Sequence, residues 1–428
     1  MANNQPPTTP TRYPLLSNIG HLSLLGPVAA ALIGSLFLRL SGAAASASIA
    51  LYLRGLSDAG QAISPLLVGM LAATFFIVEL AFSPILGGLS DRFGRRPLLV
   101  FGPLIGVIGS QIFPFTSFIP LLFVGQALIG LSTAATLPTT LSLLTDITAK
   151  SPHRTRIMGY YEVASLIGIA AGIAGATAVW DTLGHVTFHV LLLFYLASML
   201  VFSLGLREVR THKSPKRTWK EYRAILSSAH VLRFVPAWIA INAVLGLWNT
   251  HMIFQLSGVP RDTGQALMGG FSSGALSQFY LAYILAFMIG IYAATVLIQW
   301  VRRTKIMRVA LVGLLTAALW LWMLNHLPAL GLPPLSRPVL FGLFLLSVFV
   351  ASWFTPIALA YLADSSEFFP ASRGVVMGLY AIFLGLGQII GSSLGGVFTD
   401  AAGMDGLLLL TVLFGIVAAG NVIAMGEV

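Results

Sequence analysis

The sequence contains no cysteine, and only 9% of its 428 residues are charged. Without cysteine the chain cannot form disulfides, thiolate metal sites or a cysteine nucleophile, and we expect no redox chemistry. Hydrophobic residues make up 57% of the chain, whereas about 45 to 50% is usual in a soluble domain. No polar stretch leaves room for a sizeable soluble domain. These absences indicate an integral membrane protein.

The formal net charge is +10. In a soluble protein such an excess suggests nucleic-acid binding, but in a membrane protein Lys and Arg fix the orientation in the bilayer. We therefore expect no nucleic-acid partner. Residues 1–20 are polar and rich in proline and threonine, and they lack the charged start and short apolar core of a cleavable signal. We interpret them as a disordered cytosolic tail.

Long apolar runs recur along almost the whole chain, and a run of about 20 residues is enough for a membrane-spanning helix. We predict twelve spans, at 22–52, 64–88, 98–117, 119–143, 157–180, 186–206, 234–256, 278–300, 309–326, 338–362, 375–398 and 404–425. With both termini in the cytosol, the cytosolic segments hold 20 of the 24 Lys and Arg residues, the external loops hold Arg54, Arg261 and Arg337, and Arg39 lies within a span. This asymmetry predicts a multi-pass protein of a plasma membrane of the bacterial inner-membrane type, with both termini cytosolic.

The predicted spans fall into two related halves. Residues 207–233 form a basic cytosolic linker, whose second part is either a helix in the headgroup region or a solvated loop. Residues 21–206 and 234–428 are then two six-helix bundles. Residues 154–172 align with 373–391 at an offset of 219, and glycines match at the corresponding positions. A period of half the chain indicates duplication.

A dense group of charges, "GGLSDRFGRRPLLV" (87–100), lies between the second and third spans. Its spacing resembles the cytoplasmic loop signature of the major facilitator superfamily of secondary transporters. The residues that carry the resemblance are Gly87, Asp91, Arg92, Gly94, Arg95 and Arg96. Together with the twelve spans, the resemblance implies an all-α membrane protein of two pseudo-symmetric six-helix bundles that rock around a central site.

The resemblance also implies a role for these charges. Asp91 would meet the N-terminal end of the eleventh span near Gly374, and Arg95 would pair with Asp146 at the end of the fourth. We expect Gly94 to form the tight turn between the spans. Contacts of this kind would latch the halves together on the cytosolic side. The alternative, in which the arginines only enforce topology, leaves Asp91 and the glycines unexplained.

Ionisable residues inside a membrane cost about 2.5 to 3.5 kcal/mol on insertion scales, so each needs a partner or a wet cavity. By the resemblance, Arg39 and His251 would face the central cavity. Arg39 and Glu79 form either a structural ion pair or a substrate or proton site. Glu162 pairs with a loop cation such as Arg154 or serves the same site. Trp248, Asn249 and Gln388 are further candidates, which bind either the substrate or neighbouring helices. Gln126 is a further candidate for a cavity residue.

Two hydrolase-like patterns, "GFSSG" (270–274) and "GSSLG" (391–395), lack the strand-to-helix elbow that the chemistry requires. Small residues in a span favour close helix packing instead. His185 and His189 have the spacing of two zinc ligands, but no third ligand accompanies them. We therefore expect no catalytic residue, no enzyme activity, no metal and no cofactor.

The sequence thus predicts a secondary transporter that moves a small organic molecule by alternating access. Proton-coupled efflux of an amphipathic or lipophilic compound is our leading interpretation, because few charges and many aromatic and Met residues are available to the cavity. Gln126 stands where proton-coupled exporters commonly carry an arginine, which weakens antiport. One alternative is symport or uniport of an organic anion with Arg39 as its counter-charge. Another is a non-transporting receptor or scaffold on the same fold. We expect a monomer in the lipid bilayer, with a small-molecule substrate and protons as partners.

Overall fold

The computed structural model describes residues 19–148, 153–206, 229–261, 263–333, 335–365 and 373–425. In these ranges the chain is mostly helical, with turns and loops between the helices. The helices are α1 (Ile19–Asp58), α2 (Pro65–Phe93), α3 (Arg95–Ile112), α4 (Ile119–Ile147), α5 (Arg154–Leu183), α6 (Val186–Gly205), α7 (Ala229–Leu256), α8 (Ser273–Leu297), α9 (Arg303–Asn325), α10 (Ser336–Ala351), α11 (Phe354–Ser365) and α12 (Arg373–Ala424).

Among the described residues, eleven helical stretches are long and apolar enough to cross a membrane. One of them combines α10 and α11, which are separated at Ser352 and Trp353. The break lies where Pro356 has no N–H to bond to the carbonyl of Ser352. The longest stretch, Ala381–Ala424, has 44 residues and would be about 66 Å long if straight, twice the thickness of the hydrocarbon core.

That stretch bends in the middle, because Ala402 and Gly403 have non-helical backbone angles and Gly403 has a φ of +59°. Its two arms therefore provide two crossings, and the predicted count of twelve agrees with the structure. The tail before residue 19 and most of the predicted linker, residues 207–228, lie outside the described residues. The last part of that linker is already helical, since α7 begins at Ala229.

Several helix ends differ from the prediction by five or six residues, and two of these differences place charged residues of interest within a helix. Helix α1 continues to Asp58, so Arg54 lies in its last turns and is 2% exposed, not in an external loop. An ion pair one turn apart, between Arg54 and Asp58, supports this extension. Helix α2 continues to Phe93, so Asp91 lies in its last turn. Polar side chains do not end a helix whose backbone hydrogen bonds remain satisfied. The apolar runs therefore underestimate the lengths of α1 and α2.

The glycines of the internal repeat make the same contact in both halves. A Cβ atom on Gly168 of α5 would lie 2.6 Å from the Leu36 carbonyl oxygen of α1. A Cβ atom on Gly387 of α12 would lie 2.6 Å from the Ile239 carbonyl oxygen of α7. Backbones approach this closely only where a side chain is missing. The repeat therefore encodes two equivalent helix pairs, α1 with α5 and α7 with α12.

The glycines of "GSSLG" also pack against a neighbouring helix, as predicted. A Cβ atom on Gly391 would meet the backbone of Ala243, and one on Gly395 would lie 2.5 Å from the Leu247 side chain. This pattern therefore serves close packing of α12 on α7.

Aromatic clusters fill the interior of each half. In the N-terminal half, Phe113 and Phe188 stack at 5.8 Å, and the ring of Tyr52 stands edge-on to both. In the C-terminal half, Phe344 stacks on Phe279 at 5.9 Å and on Trp248 at 6.2 Å. Stacked rings add stabilisation beyond the area they bury. These clusters therefore contribute to the packing within each half.

Candidate functional site: a cavity between the halves

A cavity of about 440 Å³ lies between the two halves. Helices α1, α2, α4, α5 and α6 line it from one side, and α7, α8 and α12 from the other. Cavities of about 300 to 1,000 Å³ are typical of small-molecule sites. The cavity therefore has the size of a small-molecule site and is lined by helices of both halves.

The two walls of the cavity differ in charge. The N-terminal half contributes Arg39, Glu79 and Gln126, and the C-terminal half contributes the amides of Asn249 and Gln388. All five were candidates from the sequence. Several lining residues with hydroxyl groups were not: Ser46, Thr133, Thr136, Tyr161, Tyr195 and Tyr280. Hydroxyl residues are too common in spans for the sequence alone to single them out.

Apolar side chains complete the lining. They come from both halves and include Leu38, Ile49, Phe75, Phe76, Ile129, Ile169, Ile253 and Leu384. Phe75 and Phe76 are neighbours whose rings meet edge to face at 5.0 Å. A largely apolar wall with a few charged and amide groups suits a molecule that has both apolar and polar parts.

Arg39 and Glu79 are the two charged side chains in the described lining of the cavity. In the part of the chain that the structure describes, Arg39 makes no ion pair within 4.0 Å with Glu79 or with Glu162. The structural ion pair between Arg39 and Glu79 is therefore not formed here, and both groups line the cavity.

Glu162 lies outside the cavity lining and is exposed. The expected ion pair with Arg154 or Arg156 is absent among the described residues. Arg154 and Arg156 are exposed at the start of α5, and eight residues of helix separate Arg154 from Glu162, about 12 Å along the axis. That distance is too long for a direct contact along one helix.

His251 and Trp248 do not line the central cavity, contrary to the expectation for His251. The His251 ring is fully buried, and its Nε2 atom lies 2.9 Å from the Ser392 carbonyl oxygen. The indole N–H of Trp248 donates to Thr411 Oγ1 at 2.9 Å. Asn249 faces the cavity, and each helical residue is rotated by about 100° from the last, so His251 points to the opposite side of α7.

Trp248 lines a second, much smaller cavity of about 50 Å³ inside the C-terminal half. Its walls come from α7, α8, α9, α10 and α11, and almost all its lining residues are apolar, including Tyr283, Phe287 and Leu314. Trp248 is therefore a packing residue of that half in this structure.

The charged segment between α2 and α3 is centred on Arg95, whose side chain is 6% exposed. Its Nη2 and Nε atoms lie 3.2 and 3.3 Å from Asp146 Oδ2, and Nη1 contacts Asp91. The expected contact between Arg95 and Asp146 is thus present. Gly94 joins the two helices with a φ of +97°, a left-handed angle that favours glycine.

The contact between Arg95 and Asp146 connects α3 with α4, which belong to the same half. It therefore positions the charged segment but does not itself hold the halves together. The expected contact of Asp91 with the start of α12 involves the surroundings of Gly374, which lie outside the residues whose side chains are described. The latch stays a prediction.

The other members of the signature have smaller roles in the geometry. Arg92 lies 5.3 Å from the centre of the Phe93 ring, and Arg96 donates to the Ser203 carbonyl oxygen at 2.8 Å. A Cβ atom on Gly87 would meet nothing within 4 Å.

The family model of the Major Facilitator Superfamily matches residues 28–364. The chain belongs to this family. It is therefore a multi-pass membrane transporter, which agrees with the twelve crossings and the cavity between the halves. Among the described residues, no cluster of three or more His, Asp or Glu side chains could hold a metal ion.

Two curated relatives are resistance proteins. Multidrug resistance protein 1 of Bacillus subtilis (strain 168) is 24% identical over 351 residues, which cover 78% of this chain and 80% of the relative. The class B tetracycline resistance protein of Escherichia coli is 27% identical over 213 residues, which cover 45% of this chain and 52% of that protein. Among solved structures, the nucleoside transporter NupG has a TM-score of 0.74 at 12% identity and covers 94% of this chain and all of its own. This last likeness shows the fold alone.

Proposed function

We propose that this transporter exports an amphipathic or lipophilic small molecule in exchange for protons. The observation that carries the proposal is the central cavity, where Arg39 and Glu79 face an otherwise largely apolar wall between the two halves. The resistance functions in the names of the relatives support export of a foreign organic compound. In this proposal the protein is a monomer in a plasma membrane of the bacterial inner-membrane type, with both termini in the cytosol.

Glu79 is the candidate proton carrier, because it is the carboxylate that lines the cavity. A protonated Glu79 is neutral, so the transporter can change its conformation without leaving a charge in an apolar wall. An ionised Glu79 balances the charge of Arg39 and attracts a cationic or polar group of the substrate. Proton and substrate would then use the same carboxylate in turn, which couples the two fluxes.

A second candidate function rests on Arg39. Within the described residues its guanidinium has no ion pair within 4.0 Å, although it lines the cavity. It is therefore available to an anionic substrate as a counter-charge. Symport or uniport of an organic anion would use Arg39 directly and would require Glu79 only to tune that charge.

The test uses the purified transporter in proteoliposomes. A thermal-shift screen of metabolites and drugs at two pH values identifies a compound that binds, since a ligand of the native state raises its apparent stability. Uptake of that compound is then measured with and without a pH gradient. We expect the gradient to drive accumulation, and Glu79→Gln to abolish the effect of the gradient and to weaken binding of a compound that carries a cationic group, because glutamine cannot ionise.

Glu162→Gln is the matched control, because Glu162 is exposed and lies outside the cavity lining. It should keep the response to the gradient. If Glu79→Gln still accumulates the compound against its gradient, Glu79 is not the proton carrier. If the compound that moves is an anion and Arg39→Gln alone abolishes its binding, the second function is correct. A protein that moves no compound across sealed lipid would favour a receptor or scaffold.

A further inference from the structure

At the end of the bundle predicted to be external, the last turn of α1 holds the loop that follows α7. Arg54 Nη2 donates to the Val259 carbonyl oxygen at 3.1 Å, and Asp58 Oδ2 accepts from the Val259 N–H at 3.0 Å. Arg54 and Asp58 also form an ion pair at 2.8 Å. One ion pair of the N-terminal half thus binds both backbone polar groups of one residue in the C-terminal half.

The neighbouring residue fits this contact closely. Gly258 has a φ of +84°, and a Cβ atom there would meet Arg54 Nε and Asp58 Oδ2. The Arg54 guanidinium also lies 5.7 Å from the centre of the Phe254 ring. Cation–π contacts of this kind are favourable where the cation is desolvated. Gly258, which leaves space for Arg54, and the ring of Phe254, which contacts it, therefore both fit the C-terminal half to Arg54.

A second polar contact joins the halves at the same end, between α5 and α8. Asp181 Oδ2 accepts from the Ser273 N–H at 2.9 Å, and Ser273 Oγ accepts from the Asp181 N–H at 2.9 Å. Ser273 is the first residue of α8, where a carboxylate is favoured by the helix dipole. One turn further, Ser277 Oγ donates to the Ala174 carbonyl oxygen at 2.8 Å.

We propose that Arg54, Asp58 and Asp181, with the backbone of Val259 and Ser273, form an outer clamp that keeps the cavity closed toward the outside. The clamp rests on the alternating access of the proposed function, since it must open for the cavity to face outward. Its three side chains belong to the N-terminal half and their backbone partners to the C-terminal half, so a rocking motion that separates the outer ends breaks the bonds that Arg54, Asp58 and Asp181 make to Val259 and Ser273. The charged groups are then hydrated instead of bonded to the other half.

The absence of cysteine from the sequence makes the proposal testable by spin labelling. Gln61→Cys with Ala266→Cys reports the outer distance between the halves, and Leu204→Cys with Trp300→Cys reports the inner distance, because all four positions are exposed. Double electron–electron resonance on the full chain in lipid nanodiscs gives both distance distributions. The unmodified clamp should give mainly short outer distances.

Three substitutions disturb the clamp by two independent routes. Asp58→Ala and Asp181→Ala each remove a charged acceptor, and Gly258→Ala adds a side chain that collides with Arg54 and Asp58. We expect Asp58→Ala and Asp181→Ala each to raise the population with long outer distances by at least about tenfold, the change that the loss of one hydrogen bond to a charged group produces. Gly258→Ala should raise the same population. The inner distances should shorten in the same samples.

Asp405→Ala is the matched control. Asp405 is a carboxylate at the same end of the bundle, but it accepts from Asn325 and pairs with His326, and all three belong to the C-terminal half. Its removal should leave the outer distances unchanged. Asp58→Asn, which keeps the shape of the side chain, replaces Asp58→Ala if the latter loses thermal stability.

Two results would overturn the clamp. One is an unchanged outer distance in folded Asp58→Asn, Asp181→Ala and Gly258→Ala proteins, and the other is an equal shift in Asp405→Ala. The distances are measured without a substrate, so they do not depend on the identity of the cargo. A protein that moves no tested compound but opens when the clamp is removed would refute the proposed function and not the clamp.

Discussion

Replacing Gly168 by alanine should force α1 and α5 apart and destabilise the N-terminal half. The new Cβ atom would lie 2.6 Å from the Leu36 carbonyl oxygen, 2.9 Å from Arg39 Cβ and 3.1 Å from the Leu40 nitrogen. Ordinary van der Waals contact begins at 3.4 Å. Two of the three neighbours are backbone atoms of a helix, so they cannot rotate away as the end of a side chain can.

The size of the effect follows from two opposing terms. The helices would have to separate by about 0.8 Å, and overpacking of this kind costs about 1 to 3 kcal/mol. Alanine is a better helix former than glycine by about 0.8 to 1.0 kcal/mol, which offsets part of that cost. We therefore expect a net loss of up to about 2 kcal/mol in the free energy of unfolding.

Gly175 provides a matched control on the same helix, two turns further on. A Cβ atom there would meet nothing within 4 Å, so Gly175→Ala should gain helix propensity without a collision. Purified variants are heated in detergent, and the fraction that stays monodisperse is measured by size-exclusion chromatography. Gly168→Ala should lose half its monodisperse fraction at a lower temperature than the wild type, and Gly175→Ala at the same or a higher temperature.

Equal midpoints for Gly168→Ala and the wild type would refute the reasoning, because they would show that the backbones need not approach so closely. Equal losses in both variants would instead show that alanine is harmful anywhere in α5. Gly387→Ala extends the test to the second half, where the Cβ atom would face the Ile239 carbonyl oxygen at the same 2.6 Å.

Two other contacts lead to stability predictions that the same heating assay checks. Asp146→Ala should cost about 1 kcal/mol, because Asp146 is 30% exposed and the buried Arg95 loses one of its two carboxylates. Arg96→Ala, which removes only a surface hydrogen bond, should change the midpoint much less. Equal effects would contradict the importance of burial. Thr411→Val should cost about 1 to 3 kcal/mol, because it leaves the buried indole N–H of Trp248 without its acceptor. An unchanged midpoint would show that this N–H finds another partner.

Much of the fold could be predicted from the sequence because its determinants are local. The length of an apolar run fixes a crossing, and the distribution of Lys and Arg predicts its orientation. The internal repeat predicted the division into two halves. In the structure, its glycines Gly168 and Gly387 make equivalent close contacts with a neighbouring helix. The cavity residues Arg39, Glu79 and Gln126 could be predicted because polar groups in a span need a polar surface to face.

The direction of a side chain was harder to predict than its depth. Asn249 and His251 lie at nearly the same depth of α7, but only Asn249 faces the cavity. The angle of about 100° per residue contains that information, and a prediction that chose one face of α7 would have separated them. Arg54 was assigned to a loop because it follows an apolar run, and no local signal showed that it binds the opposite half.

Each end of the transporter carries a paired arginine and aspartate, but the described contacts of the two pairs differ in whether they cross between the halves. At one end Arg54 and Asp58 are one turn apart and bind the backbone of Val259 across the boundary between the halves. At the other end Asp91 and Arg95 are also paired, and the described contact of this pair, with Asp146, stays within one half. A carrier that alternates must populate both states, so the contacts that close the two sides must differ by only a few kcal/mol. If the proposed outer clamp and the predicted contacts of Asp91 with the opposite half both form, the strength of the first therefore sets how much the second have to contribute when the cytosolic side closes.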